Sequence, residues 1–223
     1  MSYFSPAFND FFIELASNNN KDWFDKNRKK YETEVKKPFH HFVSDLIGEI
    51  NKITPLKLEP KDAIFRINND IRFSKEKIPY KTHVGAVLAN EGRKSISSLG
   101  LYIHFSPGEC FLGGGAYKPE KEQLYKIRKA FCENPKEVEK LLQDKNFLEF
   151  FSGFASSELN KVIPKEFVEA AKKQPLIFNK QFYFMASFEN GQNFILQNQL
   201  MSVVINHYKA LLPWNDFLSN AVK

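Results

Sequence analysis

Apolar residues recur at three- and four-residue intervals towards both ends of the chain and at two-residue intervals in its middle, which predicts helices outside and strands inside. Ser5 before Pro6 reads as an N-cap and first helical position, and Phe8, Phe11, Phe12 and Leu15 continue the stripe of a short amphipathic helix. The run Ser17, Asn18, Asn19, Asn20 ends it, and Asn20 caps a long second helix that begins Lys21, Asp22, Trp23, Phe24. Pro38 has no amide donor and crowds the preceding turn, so a kink or restart is expected there. Phe39, Phe42, Val43, Leu46, Ile47 and Ile50 then resume the stripe as far as Ile53.

From Phe65 the period falls to two. Phe65, Ile67, Ile71 and Phe73 alternate with Arg66, Asn68, Asp70, Arg72 and Ser74, the pattern of a half-buried strand over residues 65–74. A second strand is expected within residues 80–89. Residues 99–105 and 110–112 flank Ser106, Pro107, Gly108 and Glu109, whose Pro and Gly suit a tight hairpin. Pro119 opens a helix carrying Leu124, Ile127, Arg128 and Phe131, and Asn134 with Pro135 and Glu137 predicts a capping box for the next. Shorter helices are expected around 146–151 and 165–171, a late strand over 182–188, and a closing helix over 194–211 that stops before Pro213. No Gly/Ser linker, repeat period or low-complexity tract interrupts the chain. The expected architecture is α+β: one domain over residues 1–223, with a central, largely antiparallel sheet flanked by N-terminal and C-terminal helices.

Composition narrows the class. Of the 223 residues 23 are Phe, and each aromatic buries roughly 150–250 Å², so a Phe-built core is large enough for one domain. Cys110 and Cys132 stand apart from any His or Cys at ligand spacing, which indicates neither a disulfide framework nor a zinc site. Residues 1–12 lack a basic leader and no apolar run approaches a membrane span, so a cytoplasmic protein without membrane partners is expected. The net charge of +6 mildly favours anionic partners, though a lysine-rich surface also serves solubility.

That charge is localised. Between Arg66 and Lys81 lie five Lys and Arg against two acids, so half of the net charge sits in sixteen residues. Arg66, Asp70 and Arg72 on one strand face would set a carboxylate between two guanidiniums, with Lys77 and Lys81 as mobile cations and Tyr80 as a neutral donor. A merely solvated strand face accounts for the same charges. Gly113, Gly114 and Gly115, followed by Tyr117 at a helix start, could cradle an anion with backbone amides, or could mark a strand bulge; the spacing fits neither a P-loop nor a dinucleotide fingerprint. His40, His41, His83, His104 and His207 show no metal-ligand spacing. His104 and Tyr102 could share the polar face of the central sheet with Arg66 and Arg72.

Asn19, Asn20, Asp22, Trp23 and Phe24, the set Arg66, Ile67, Asp70, Ile71, Arg72, Phe73, Ser74, Lys77, Pro79, Tyr80 and Lys81, and then Gly114, Gly115, Tyr117, Pro119, Leu124 and Arg128 together resemble a bacterial and fungal family known as domain of unknown function 2461. The resemblance spans almost the whole chain and implies one domain. Asn69 stands where Arg is expected in much of that family, and Ala116 replaces a bulkier residue. It supplies no catalytic residue or cofactor to carry over.

Three functions follow as expectations. The first is a site that grips an anionic small molecule, a phosphate or carboxylate, with Arg66, Arg72, Lys77 and Lys81, supported by Tyr80, Tyr102, Gly114, Gly115 and Tyr117. Asp70 would orient the guanidiniums there or act as a base, with His104 a second catalytic candidate. The second is a nucleic-acid-binding module that adds Lys26, Arg28, Lys29 and Lys30. The third is a protein-interaction domain without chemistry.

Overall fold

The computed structural model describes residues 2–72, 75–90, 92–94, 99–155 and 158–223. The first helix, α1 (Pro6–Ser17), starts at the expected proline and buries Phe8, Phe11, Phe12 and Leu15. Asn20 caps α2 (Lys21–Lys30) as its sequence requires, its side chain accepting from the Trp23 amide at 3.0 Å. The helix restarts at Pro38, as expected. A π-helical turn over Tyr31–Lys36 precedes α3 (Lys37–Asn51), so the proline falls in the first turn of α3, where an absent amide costs nothing. A short helix that sequence did not suggest, α4 (Pro60–Ala63), follows.

The strands are β1 (Val84–Leu88), β2 (Leu101–Phe105), β3 (Cys110–Ala116) and β4 (Phe182–Phe188), in the sheet order β1-β2-β3-β4 and antiparallel. The α+β class and the β2–β3 hairpin are as read from the pattern. The strand expected over residues 65–74 does not form. Residues 64–72 make only isolated bridges, Ile64 to Ala86 and Asn68 to Tyr80, while Phe73 and Ser74 lie outside the described residues. The reason is local. Side chains take the backbone groups that a ladder would need: Lys81 Nζ donates to the carbonyls of Arg66 and Asn68 at 2.8 and 2.7 Å, and Asn69 Nδ2 donates to that of Ile78 at 3.1 Å.

The remaining helices are α5 (Lys121–Glu133), α6 (Pro135–Leu142), α7 (Lys145–Phe150), α8 (Val168–Lys173), α9 (Gly191–Leu196) and α10 (Leu200–Val222). The capping box sits on α5, between Glu120 and Gln123, and Asn134 makes no side-chain cap. The closing helix also differs from expectation: the chain breaks after α9, and α10 runs through Pro213. Trp214 and Leu218, both fully buried beyond the proline, hold that last stretch in helical register.

By contacts the chain divides into two compact units, one of residues 1–94, 102–112 and 187–205, the other of 95–101, 113–186 and 206–223. The first packs α3, α9 and the residue Phe4 ahead of α1 against β2 through Phe105, whose ring lies 5.9, 6.0, 5.5 and 6.1 Å from those of Phe4, Phe39, Phe42 and Phe194. The second is centred on Trp214, with Phe154 at 4.9 Å, Phe184 at 5.2 Å, Phe217 at 6.0 Å and Phe147 at 6.1 Å. Contacts between offset or edge-on rings add about 0.5–1.5 kcal/mol each beyond area burial, so the Phe-rich composition is used as two aromatic clusters. No helix among the described residues is long and apolar enough to cross a membrane.

Candidate functional site

Residues 75–81 meet the α1–α2 junction through Asn19 and Phe24. Asn19, at the α1–α2 junction, donates from Nδ2 to the Tyr80 carbonyl at 2.8 Å and accepts the Tyr80 amide on Oδ1 at 3.1 Å. The Tyr80 ring stacks on Phe24 of α2, with centroids 4.0 Å apart. Two motifs sixty residues apart in sequence are thus one packed object, and Tyr80, buried on that stack, is spoken for by packing.

Among residues 66–81 the expected cations do not converge. Arg72 is exposed and turned onto Asp70 through a two-point fork, Nε to Oδ1 at 2.9 Å and Nη2 to Oδ2 at 2.7 Å. The Arg72 side chain and its amide hold the Asp70 carboxyl far below the usual carboxylate range. A carboxylate so stabilised is a feeble proton acceptor near neutral pH, which removes the reason for casting Asp70 as a base. Asp70 orients one guanidinium, and its side-chain bonds are to Arg72 rather than to both forks. Lys77 Nζ donates to the Ile71 carbonyl at 2.8 Å, and Lys81 spends two of its three N–H groups on Arg66 and Asn68. These lysines shape the loop.

What the fold does bring together lies one step further along. His83, just before β1, stacks on His104 of β2 with centroids 4.0 Å apart and planes at 25°. The Tyr102 hydroxyl meets His104 Nδ1 at 3.0 Å, Phe111 of β3 closes edge-on at 5.0 Å, and Phe65 approaches Tyr102 at 6.4 Å. Tyr102 and His104 of β2 are half-buried while Leu101, Ile103 and Phe105, which alternate with them, are fully buried, so Tyr102 and His104 stand on the opposite side of the strand. Burial, with His104 and Lys81 as like-charged neighbours, lowers the His83 pKa to about 3; burial alone lowers that of His104 to about 4. Lys81 is itself lowered by burial and by Arg66. Arg66 is exposed and its guanidinium has no hydrogen-bonding or ion-pair partner among the described residues. The result is a patch of cation, neutral imidazole and phenol, all within the first unit.

His83 is the member that sequence reasoning passed over. Its signal was present in the two-residue spacing from Lys81, but its stacking partner is twenty-one positions away and appears only when β1 pairs with β2.

The glycine run has a packing explanation. A Cβ on Gly113 would lie 2.6 Å from the Phe184 carbonyl oxygen, and one on Gly114 would lie 2.6 Å from that of Gly100 and 2.8 Å from Leu211 Cδ1. Gly115 adopts φ +86°, and its amide donates to Asn215 Oδ1 at 3.2 Å. The run permits close approach of neighbouring backbones and its Gly115 donor is already used, so Gly114 and Gly115 offer an anion little. Tyr117 is exposed, with Tyr183 edge-on at 5.1 Å and Lys118 Nζ 5.3 Å from its ring centre. These residues belong to the second unit. Arg128, another residue of the family pattern, is also structural: nearly buried, it donates to the carbonyls of Ile177 and Asn179 at 2.8 and 3.1 Å.

The second unit carries a groove of ≈ 810 Å³ along α5, α6 and α10, lined by both signs of charge, among them Lys129, Lys140, Glu137 and Asp216. None of the expected site residues lines it. Among the described residues no group of three or more His, Cys, Asp or Glu is placed to hold a metal ion.

The family model for conserved hypothetical protein DUF2461 matches residues 7–217. The chain belongs to this family. The match includes the Asn19–Tyr80 clamp, the imidazole stack and the Arg128 clamp, so the DUF2461 chain is matched across both units. No curated protein matches it.

Proposed function

We propose that this DUF2461 protein binds an anionic small molecule, one bearing a phosphate or carboxylate, at Arg66, Lys81, His83, Tyr102 and His104. The observation that carries the reading is the stacked His83–His104 pair beside Lys81 and Arg66, with the Tyr102 hydroxyl on His104 Nδ1. The reading draws on three kinds of donor: the unpartnered guanidinium, the third N–H of Lys81, and the ring N–H groups. A charge-assisted contact supplies about 1.5–3 kcal/mol, so two or three suffice for millimolar to micromolar binding after the cost of association. An anion there offsets the burial that keeps both imidazoles neutral, so binding draws protons onto the pair. Arg72, Lys77, Tyr80, Gly114, Gly115 and Tyr117 are left out of the site because their donors or rings are committed elsewhere or belong to the other unit.

The reading takes residues 1–223 as one cytoplasmic domain. Each unit draws on three separate stretches of chain, and both cysteines are free, with burial pushing the Cys110 thiol up to about 11.

Calorimetric titration with inorganic phosphate, pyrophosphate and citrate at pH 6, in two buffers of different ionisation enthalpy, tests this. Saturable heat with net proton uptake is expected, weakened about tenfold or more by Arg66→Ala. Absence of saturable heat with all three anions, or an Arg66→Ala titration that superimposes on the parent, removes the proposal.

A further inference from the structure

The whole excess of positive charge lies on two segments that pack together. Residues 21–37 hold seven Lys and Arg against four acids, residues 66–81 hold five against two, and everything else balances to zero. Asn19 and the Phe24–Tyr80 stack pack these segments against each other as one basic region of the first unit. Several cations there are committed: Arg28 to Asp25, Lys30 to Glu14, Lys36 to Glu32, Arg72 to Asp70. Lys21, Lys26, Lys29, Lys37 and Lys75 are exposed, and their ammonium groups have no hydrogen-bonding or ion-pair partner among the described residues.

We infer that this surface binds single-stranded nucleic acid. The helical rod over residues 21–37 is about 24 Å long, enough to track roughly four nucleotides of an extended strand. None of the exposed large apolar side chains lies within 21–37, so the rod has nothing to insert into a lipid surface, and its four acids oppose adsorption to one. The adjoining loop does expose apolar groups: Phe65, 36% exposed, beside Arg66, and Ile78, 44% exposed, beside Lys77. An open ring beside a cation stacks on an unpaired base and has no counterpart in a duplex, whose bases are already stacked. This surface goes beyond the small-anion patch, since the lysines that define it lie outside that patch.

Fluorescence anisotropy with a labelled 20-nucleotide pyrimidine-rich DNA strand, its duplex, and vesicles containing phosphatidylserine provides the test. Micromolar binding of the single strand at 50 mM NaCl is expected, with log affinity falling against log salt at a slope of about −3 for four phosphate contacts. The double variant Lys26→Glu/Lys29→Glu should weaken it about tenfold or more with unchanged circular dichroism, and Phe65→Ala should weaken the strand while leaving the salt slope intact. The same Lys26→Glu/Lys29→Glu protein should keep the phosphate heat, whereas His104→Phe should lose that heat and keep the strand, so the two readings fail separately. Equal or tighter binding of the duplex, a preference for vesicles, no binding of the strand at 50 mM NaCl, or charge reversal without effect would each overturn the inference.

Discussion

Acidification from pH 7 to pH 5 should destabilise the fold through His83 and His104. Both imidazoles have folded-state pKa values below the ordinary 6.5, at about 3 and about 4. Between pH 6.5 and about 4 the unfolded chain therefore binds protons that the folded chain refuses, and stability falls as pH falls through that window. Each unfolded imidazole gains about 1.8 kcal/mol over this pH step relative to its folded counterpart, a ceiling of about 3.6 kcal/mol for the pair. Both rings keep some contact with solvent, which screens the penalty, so about 2 kcal/mol is the expected loss. Urea unfolding at pH 7, 6 and 5 measures it, comparing the parent with His83→Phe/His104→Phe. That variant keeps an aromatic stack, cannot titrate, and leaves His40, His41 and His207 as a common background. Its stability should change with pH about 2 kcal/mol less than the parent's. Parallel pH dependences for the two proteins would show that the pair is not held neutral by its surroundings. Adding inorganic phosphate at pH 5 should restore part of the parent's loss and none of the variant's.

Asn19→Ala removes both bonds to the Tyr80 backbone and should cost about 1–3 kcal/mol, with hydrogen exchange at the Tyr80 amide rising ahead of the α1 core. Arg128→Lys lacks the two separate nitrogens with which the planar guanidinium reaches the Ile177 and Asn179 carbonyls and should lose about 1–2 kcal/mol in thermal unfolding with no effect on phosphate heat; an unchanged melting temperature would refute the clamp. Gly113→Ala forces a methyl onto the Phe184 carbonyl, which is backbone and cannot step aside, so a loss of about 1–3 kcal/mol is expected in urea. Asp70→Asn should leave phosphate binding within about twofold, because its fork serves Arg72 and Arg72 is outside the proposed site.

The sequence by itself determined whatever depends on neighbours a few residues apart. The apolar stripe of α1 and α3, the Asn20 cap, the β2–β3 hairpin and the α+β class all follow from periodicity and capping chemistry acting within one turn or one strand. The basic character of residues 66–81 was equally legible. Tertiary structure decided where those charges go. Alternation over residues 65–74 promised a strand, but Lys81 reached back to the carbonyls of Arg66 and Asn68 and Asn69 reached across to that of Ile78, side-chain bonds that compete with a continuous ladder. The helical continuity of α10 through Pro213 was set by burial of Trp214 and Leu218, a gain no local rule contains. The His83–His104 stack and the Asn19 clamp join residues twenty-one and sixty-one positions apart, and such contacts exist only once strand pairing and helix packing have brought their backbones together.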